Sequence, residues 1–317
     1  MPRFPVYNAG VKPAVFFLLA CALPAADLRI GIVGTDTSHV PAFAKMLHDE
    51  SLGAKVVAAW KGGSKDFEAS ATRVDQFAVE LQAKYGVEIV PDLNTMLGKV
   101  DAVMLESVDG RVHLEQARAI IAAKKPVFID KPLAASLDDA REIARLAKAA
   151  GVPWFSTSSL RYGAIGAHAK FSDTTGAAVW GPGTIVPQFP LDLSWYVIHP
   201  IEVLYTILGR GCVSVSRTST ANGDVIVGRW QDGRIGTVYA ARPNADYGAV
   251  VFRGHEVTDL HPKKGEASEY RPLLLEIVKF FQTGKPPVDN EETLEIMAFM
   301  DAGLRSKQQG GAPVALR

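Results

Sequence analysis

Cysteine is scarce in this chain, with only Cys21 and Cys212 among 317 residues. Cys21 falls in a segment expected to be removed, so no intrachain disulfide is expected to support the mature fold. Net charge is absent too, because 34 basic residues balance 34 acidic ones. That balance gives no reason to expect nucleic acid or an anionic membrane surface as a general partner. There is no run of like charges, no fixed-period repeat and no low-complexity segment, which removes charged tails and solenoids from consideration. The apolar run Ala14–Leu23 is too short to span a bilayer. The histidines and acidic residues show no spacing specific to a metal motif, so no metal is assigned.

What the first 26 residues do have is an order. Arg3 and Lys12 precede the apolar run, and the small residues Ala25 and Ala26 follow it. Charge, apolar stretch and small residues in that sequence predict a secretory signal over residues 1–26 and an exported protein, periplasmic or extracellular. Leu18-Leu19-Ala20-Cys21 resembles a lipoprotein cleavage box, although lipid attachment at Cys21 is the less favoured outcome. No twin arginine occurs, which points to export in the unfolded state.

The stretch around which the remainder is organised is Asp27–Leu47. An apolar run ends at Gly34, a polar turn follows, and an apolar-periodic segment begins near Pro41. Strand, tight turn and helix in that order open a dinucleotide-binding βαβ unit. In the glycine fingerprint of such units the second glycine admits the pyrophosphate and the third lets helix and strand pack closely. Here Gly34 holds the first place, while Asp36 and His39 stand at the second and third.

Further along, Lys55–Trp60 predicts a second strand, Asp66–Lys84 a helix closed by Gly86, Glu88–Val90 a short strand and Ala102–Leu105 a fourth. Val112–Ala123 predicts a helix with His113 in its first turn, followed by a fifth strand at Pro126–Ile129 and a sixth at Pro153–Ser156. Between those two, Ser136 and Asp139 form a capping-box signature. This alternation predicts a doubly wound parallel sheet. Beyond Ser159 the strands Val213–Thr218, Val225–Trp230 and Ile235–Ala240 predict a mostly antiparallel sheet, with closing helices near Arg271–Gln282 and Glu291–Ser306 on one face. The expected fold class is therefore α/β: a Rossmann-like domain over 27–158, then an α+β domain over 159–317 for substrate binding and oligomerisation.

Several segments together resemble the Gfo/Idh/MocA family of NAD(P)-dependent sugar and polyol oxidoreductases. VFIDKPLA at Val127–Ala134 is similar to the family's V-x-x-E-K-P-L-A, with Asp130 for glutamate. MLESVDGRVHLEQA at Met104–Ala117 is similar to its A-T-P-x-x-x-H-x-x-x-A segment. IHPIEVLYTILGRG at Ile198–Gly211 matches its histidine helix, with Glu202 for aspartate, and Gly284–Ser306 resembles its closing helix. The resemblance implies NAD or NADP as cofactor, held near Gly34, Thr35, Asp36, Ser38, His39, Ser107, His113 and Asp130. It implies a small polar substrate against Lys131, Arg161, Tyr196 and His199, with Lys131 and His199 catalytic. A histidine titrating near neutral pH suits proton exchange with a carbinol oxygen, and a nearby lysine favours a developing alkoxide. Pairing of copies through the open face of the second sheet is implied as well.

Charge departs from the family's pattern. A carboxylate about 5 Å from a phosphate charge costs roughly 3 kcal/mol at an effective dielectric of about 20. Asp36 is expected to face the pyrophosphate, and Glu106 stands where a small residue is usual. Lys61 and Lys65 would suit a 2′-phosphate, although ordinary solvated lysines are as good a reading. Trp195 occupies the place of the aspartate that often orients the catalytic histidine. Two other readings stay open: an exported relative that binds a small polar ligand without the dinucleotide, and a metal-dependent hydrolase or lyase. The second draws on Asp36, His39, Glu106, Asp109, His113 and Asp130, which should gather at the carboxyl ends of strands one, four and five.

Overall fold

Short β-branched runs between amphipathic segments give the computed structural model two packed layers systems, and it describes residues 1–2, 27–262 and 269–317. All but the first two residues of the predicted signal, Cys21 included, lie outside the described residues. In chain order the first half holds β1 (Leu28–Val33), α1 (His39–Asp49), β2 (Ala54–Trp60), α2 (Glu68–Ala71), α3 (Val74–Tyr85), β3 (Glu88–Val90) and α4 (Leu93–Leu97). It continues with β4 (Ala102–Leu105), α5 (His113–Ala122), β5 (Val127–Asp130), α6 (Leu137–Ala150) and β6 (Trp154–Thr157). The strands form one parallel sheet in the order β3-β2-β1-β4-β5-β6. The order reverses direction between β1 and β4, the switch point at which open α/β sheets bind ligands. Every residue of β4, β5 and β6 is buried, as expected for strands covered on both faces. Ser136 caps α6 by accepting from the Asp139 N–H, as the capping box predicts.

The second half holds β7 (Thr174–Pro182), α7 (Ile198–Leu208), β8 (Cys212–Thr220), β9 (Gly223–Trp230), β10 (Ile235–Ala241), β11 (Gly248–Arg253), β12 (Glu256–Leu260), α8 (Arg271–Thr283), α9 (Asn290–Gln308) and β13 (Val314–Ala315). Its seven-stranded sheet runs β12-β11-β7-β10-β9-β8-β13 and is antiparallel except where β10 lies beside β7. The Gln231–Arg234 turn joins β9 to β10 as a hairpin.

The closing helices depart from expectation. Only α9 packs on the second sheet, against β8. Helix α8 returns to the first domain, where Leu273, Leu274, Ile277 and Phe280 bury against Ile30, Phe43, Phe128 and Phe155. This crossing fixes the two halves to one another and sets Tyr270, just before α8, over the start of α1. On the open face of the second sheet Val225, Tyr239, Ile235 and Phe252 remain exposed.

Candidate functional site

The register that pairs Val33 with Leu105 and Leu105 with Ile129 brings three loops to one level, those beginning at Gly34, Glu106 and Lys131. Gly34 sits at φ +87°, and a Cβ there would lie 2.4 Å from the Ser107 backbone nitrogen, so glycine alone allows the loops to touch. Ser107 in turn hydrogen-bonds Gln116 at 2.9 Å, and its carbonyl faces His113 Nε2 at 2.7 Å. With Nδ1 3.3 Å from the Leu133 carbonyl, His113 ties the second loop to the third. It does not reach the cavity described below, and neither does Ser107.

Asp36 is not where the fingerprint places it. Its carboxylate turns inward, accepting from the Val108 N–H at 3.0 Å and the Ser70 hydroxyl at 2.5 Å. Burial raises its pKa, with those two donors pulling the other way. Thr35 is equally internal, donating from its hydroxyl to the Val74 carbonyl at 2.7 Å. The Gly34 and Thr35 N–H groups go to the carbonyls of Trp60 and Lys61. The reason is the segment 61–73, which folds over the ends of β1 and β4. Arg111 clamps it through Asp66 (2.9 Å) and Asp109 (2.7 Å), and Phe67 packs edge-on to Trp195 of the second half at 5.3 Å. Asp109 is thereby a structural anion. Lys61 is paired with Asp75 at 2.8 Å.

What stays open is a cavity of about 580 Å³ between the halves, lined by Thr37, Ser38, His39, Arg73, Lys131, Trp195, Tyr196, His199, Tyr247 and Tyr270 among others. Lys131 and His199, the two predicted catalytic residues, both face it. Lys131 Nζ stands 5.9 Å from the Trp195 ring centroid. Burial, and after it the Lys131 charge, hold the His199 imidazole well below its ordinary pKa, so the ring is neutral. Its Nδ1 lies 2.7 Å from the Ser158 hydroxyl, which also accepts from the Leu160 N–H at 3.2 Å. Ser158, at the end of β6, is the orienting partner that sequence reasoning did not find. Serine in a loop carries no signal of its own, and the contact crosses from one half of the chain to the other. Tyr247 and Tyr270 went unnoticed for the same reason.

Arg161 does not line this cavity. It is buried with its guanidinium on Glu202 and Glu292, both at 2.7 Å, and Glu202 also accepts from Thr157. Glu202 thus serves an ion pair that joins β6, α7 and α9, away from the cavity.

Behind His39, which lines the cavity, the buried carboxyls of Glu106 and Asp130 come together with its imidazole. His39 Nδ1 is 3.0 Å from Asp130 Oδ2 and 3.9 Å from Glu106 Oε2. Burial pushes the Glu106 carboxyl well up, reinforced by Asp130. Burial also opposes the charge on Asp130, but His39 and Lys131 outweigh it and hold that carboxyl low. Of the six residues expected to gather at the strand ends, these three converge, while Asp36, Asp109 and His113 are spent in the loops.

A dinucleotide's anionic centre finds donors at the start of α1. No side chain caps this helix, Thr37 and Ser38 line the cavity there, and Arg73 pairs with no carboxylate among the described residues. The helix N-terminus and one cation suit a phosphate. With Asp36 turned away, the charge conflict expected of it does not arise. The fit is to this cavity and not to the turn at Gly34, whose donors are consumed.

Residues 28–157 match the sequence model of an oxidoreductase family with an NAD-binding Rossmann fold, Gfo/Idh/MocA. Among curated proteins no sequence matches this chain. Solved structures share the fold across both halves. An apo scyllo-inositol dehydrogenase from Lactobacillus casei superposes with a TM-score of 0.75 at 16% identity, covering 92% of this chain and 98% of its own. A myo-inositol dehydrogenase from the same organism, in complex with NAD(H) and myo-inositol, gives 0.71 at 18%, covering 92% and 97%. A probable dehydrogenase from Thermotoga maritima gives 0.71 at 21%, covering 91% and 99%.

Proposed function

From the premise that its first domain belongs to the Gfo/Idh/MocA oxidoreductases, we propose that the protein is an NAD(P)-dependent oxidoreductase acting on a carbinol of a small polyhydroxylated substrate, of the sugar or cyclitol class. The observation that carries this reading is that Lys131 and His199, from different halves of the chain, face one cavity. A dinucleotide, when bound, supplies the hydride acceptor or donor. Thr37, Ser38 and Arg73 are the residues that would hold its phosphates.

The chain's own residues handle the proton. His199 is neutral, and when its Nδ1–H donates to Ser158 the Nε2 lone pair is left to take the carbinol proton. Lys131 favours negative charge on the oxygen as that proton leaves. Tyr196, Tyr247 and Trp195 supply the apolar faces and hydroxyls that a ring of alternating C–H and O–H groups requires. Myo-inositol, the compound bound by one structural neighbour, belongs to that class. Export to the periplasm or beyond remains part of the reading, on the strength of the N-terminal order of charge and apolar residues. Pairing of copies through Val225, Tyr239 and Phe252 does as well.

The test is calorimetric titration of the chain from Asp27 onward with NAD(H) and NADP(H), followed by turnover assays with cyclitols and aldoses. Saturable binding of one dinucleotide and reduction dependent on substrate are expected. No binding of either dinucleotide ends this reading.

A further inference from the structure

Behind the cavity, Glu106 and Asp130 have more acceptor capacity than the fold uses. Glu106 is 0% exposed, Asp130 1% and His39 8%. Among the described residues, neither oxygen of Glu106 has a hydrogen-bond donor, nor does Asp130 Oδ1. His39 Nδ1 is close to Asp130 but out of line for a hydrogen bond. Among the described residues, Lys131 makes no ion pair with either carboxylate and stands 5.9 Å from the Trp195 ring centroid instead. Leaving even a neutral buried polar group without a partner costs about 1–3 kcal/mol, and a charged one more. A carboxyl left wholly bare at the switch point of an α/β sheet is therefore waiting for something that donates to it.

We propose that His39, Glu106 and Asp130 form a binding site for one divalent metal ion. The three side chains offer one nitrogen and two oxygens, with all the ligating atoms within 4.8 Å of one another. Tetrahedral ligands about 2.0–2.2 Å from a metal stand about 3.4 Å apart, and the separations of 3.0 and 3.9 Å from His39 Nδ1 to the two carboxylates bracket that value. An imidazole with two carboxylates is a mixed, rather hard donor set, suited to Mn²⁺ or Zn²⁺ more than to Cu⁺ or Ca²⁺. Both carboxylates coordinate in the deprotonated form, and their two negative charges balance the ion. The three residues supply only one side of a coordination sphere. His39 also lines the cavity that Lys131 and His199 face, so adjacent oxygens of a diol or hydroxycarboxylate bound there would complete the sphere from its side.

The probes are MnCl₂ and ZnCl₂ added to chelator-treated, untagged protein without dinucleotide, so the outcome is independent of whether the oxidoreductase reading stands. Calorimetry and the paramagnetic signal of free Mn²⁺ should give one saturable site per chain. Glu106→Gln, which keeps the shape and removes the charge, should weaken it by about 100-fold or more, while His48→Gln, on an outer face of α1, leaves it unchanged. Anomalous scattering from manganese-soaked crystals of the unaltered chain should place the ion between the three residues, a readout that does not depend on any variant folding. No saturable binding, equal affinity in Glu106→Gln, or an ion found elsewhere overturns the proposal.

Discussion

Asp36 and Glu106 are both 0% exposed, stand on loops that touch, and replace small residues at the same end of the same sheet. Their surroundings differ completely. Asp36 takes a backbone N–H and a hydroxyl and seals the segment 61–73 onto the strand ends, whereas neither oxygen of Glu106 has a hydrogen-bond donor among the described residues. Burial alone therefore does not separate a structural carboxylate from a functional one. The count of satisfied lone pairs does, because a buried acceptor without a donor persists only where something else repays it. Arg161 with Glu202 and Glu292 lies on the Asp36 side of this contrast, and Lys131 on the Glu106 side.

The largest effect should come from the structural side. Arg161→Ala leaves Glu202 buried without its cation and should destabilise the protein by about 3–5 kcal/mol, read from denaturant unfolding; a loss within error would mean that the pair is not what joins β6, α7 and α9. On the functional side, Lys131→Ala should lower turnover by about 10²–10³-fold with no change in melting temperature. Unchanged kcat/KM would take Lys131 out of the chemistry.

The contrast itself is tested by paired substitutions. Asp36→Ala strands the Val108 N–H and should lose about 1–3 kcal/mol of stability, while Glu106→Gln in metal-free protein should lose none. Equal losses would erase the distinction. Ser70→Ala, which loosens the segment 61–73 without adding charge, should open the groove at Gly34 and tighten dinucleotide binding by a few fold, about 1 kcal/mol; weaker binding would show that the segment helps to hold the cofactor.

The smallest effect concerns His199. Its folded pKa lies below the unfolded value near 6.5, so its contribution to stability is present above that pH and is lost as pH falls from there toward the depressed folded value. Turnover should accordingly persist as pH is lowered through about 6.5. Lys131→Met should move the His199 transition upward in an NMR titration, because the lysine charge opposes protonation; a downward move would contradict the site's electrostatics.

Periodicity and local chemistry made much of the architecture legible. The strands of the first sheet, the Ser136 cap and the hairpin at Gln231–Arg234 all follow from interactions a few residues apart. The pair Lys131 and His199 was legible only through family resemblance, since neither a lysine after a strand nor a histidine entering a helix is distinctive by itself. The roles of Thr35, Asp36, Ser107, His113 and Arg161 were not legible: each residue type suits a ligand as well as a loop, and the partners that decide between them are distant in the chain.

The sequence by itself determined that β1 turns at Gly34, that the strand ends carry an unusual set of acids and imidazoles, and that two kinds of sheet follow one another. Those are consequences of backbone propensity and apolar spacing, which act locally. Only the tertiary structure decided that Asp36 would meet Ser70 and Val108, that α8 would cross back to cover the first sheet, and that Glu106 would find no donor. Hydrogen bonds and ion pairs reach about 3 Å, so which lone pairs are satisfied depends on how loops far apart in sequence come to rest against each other.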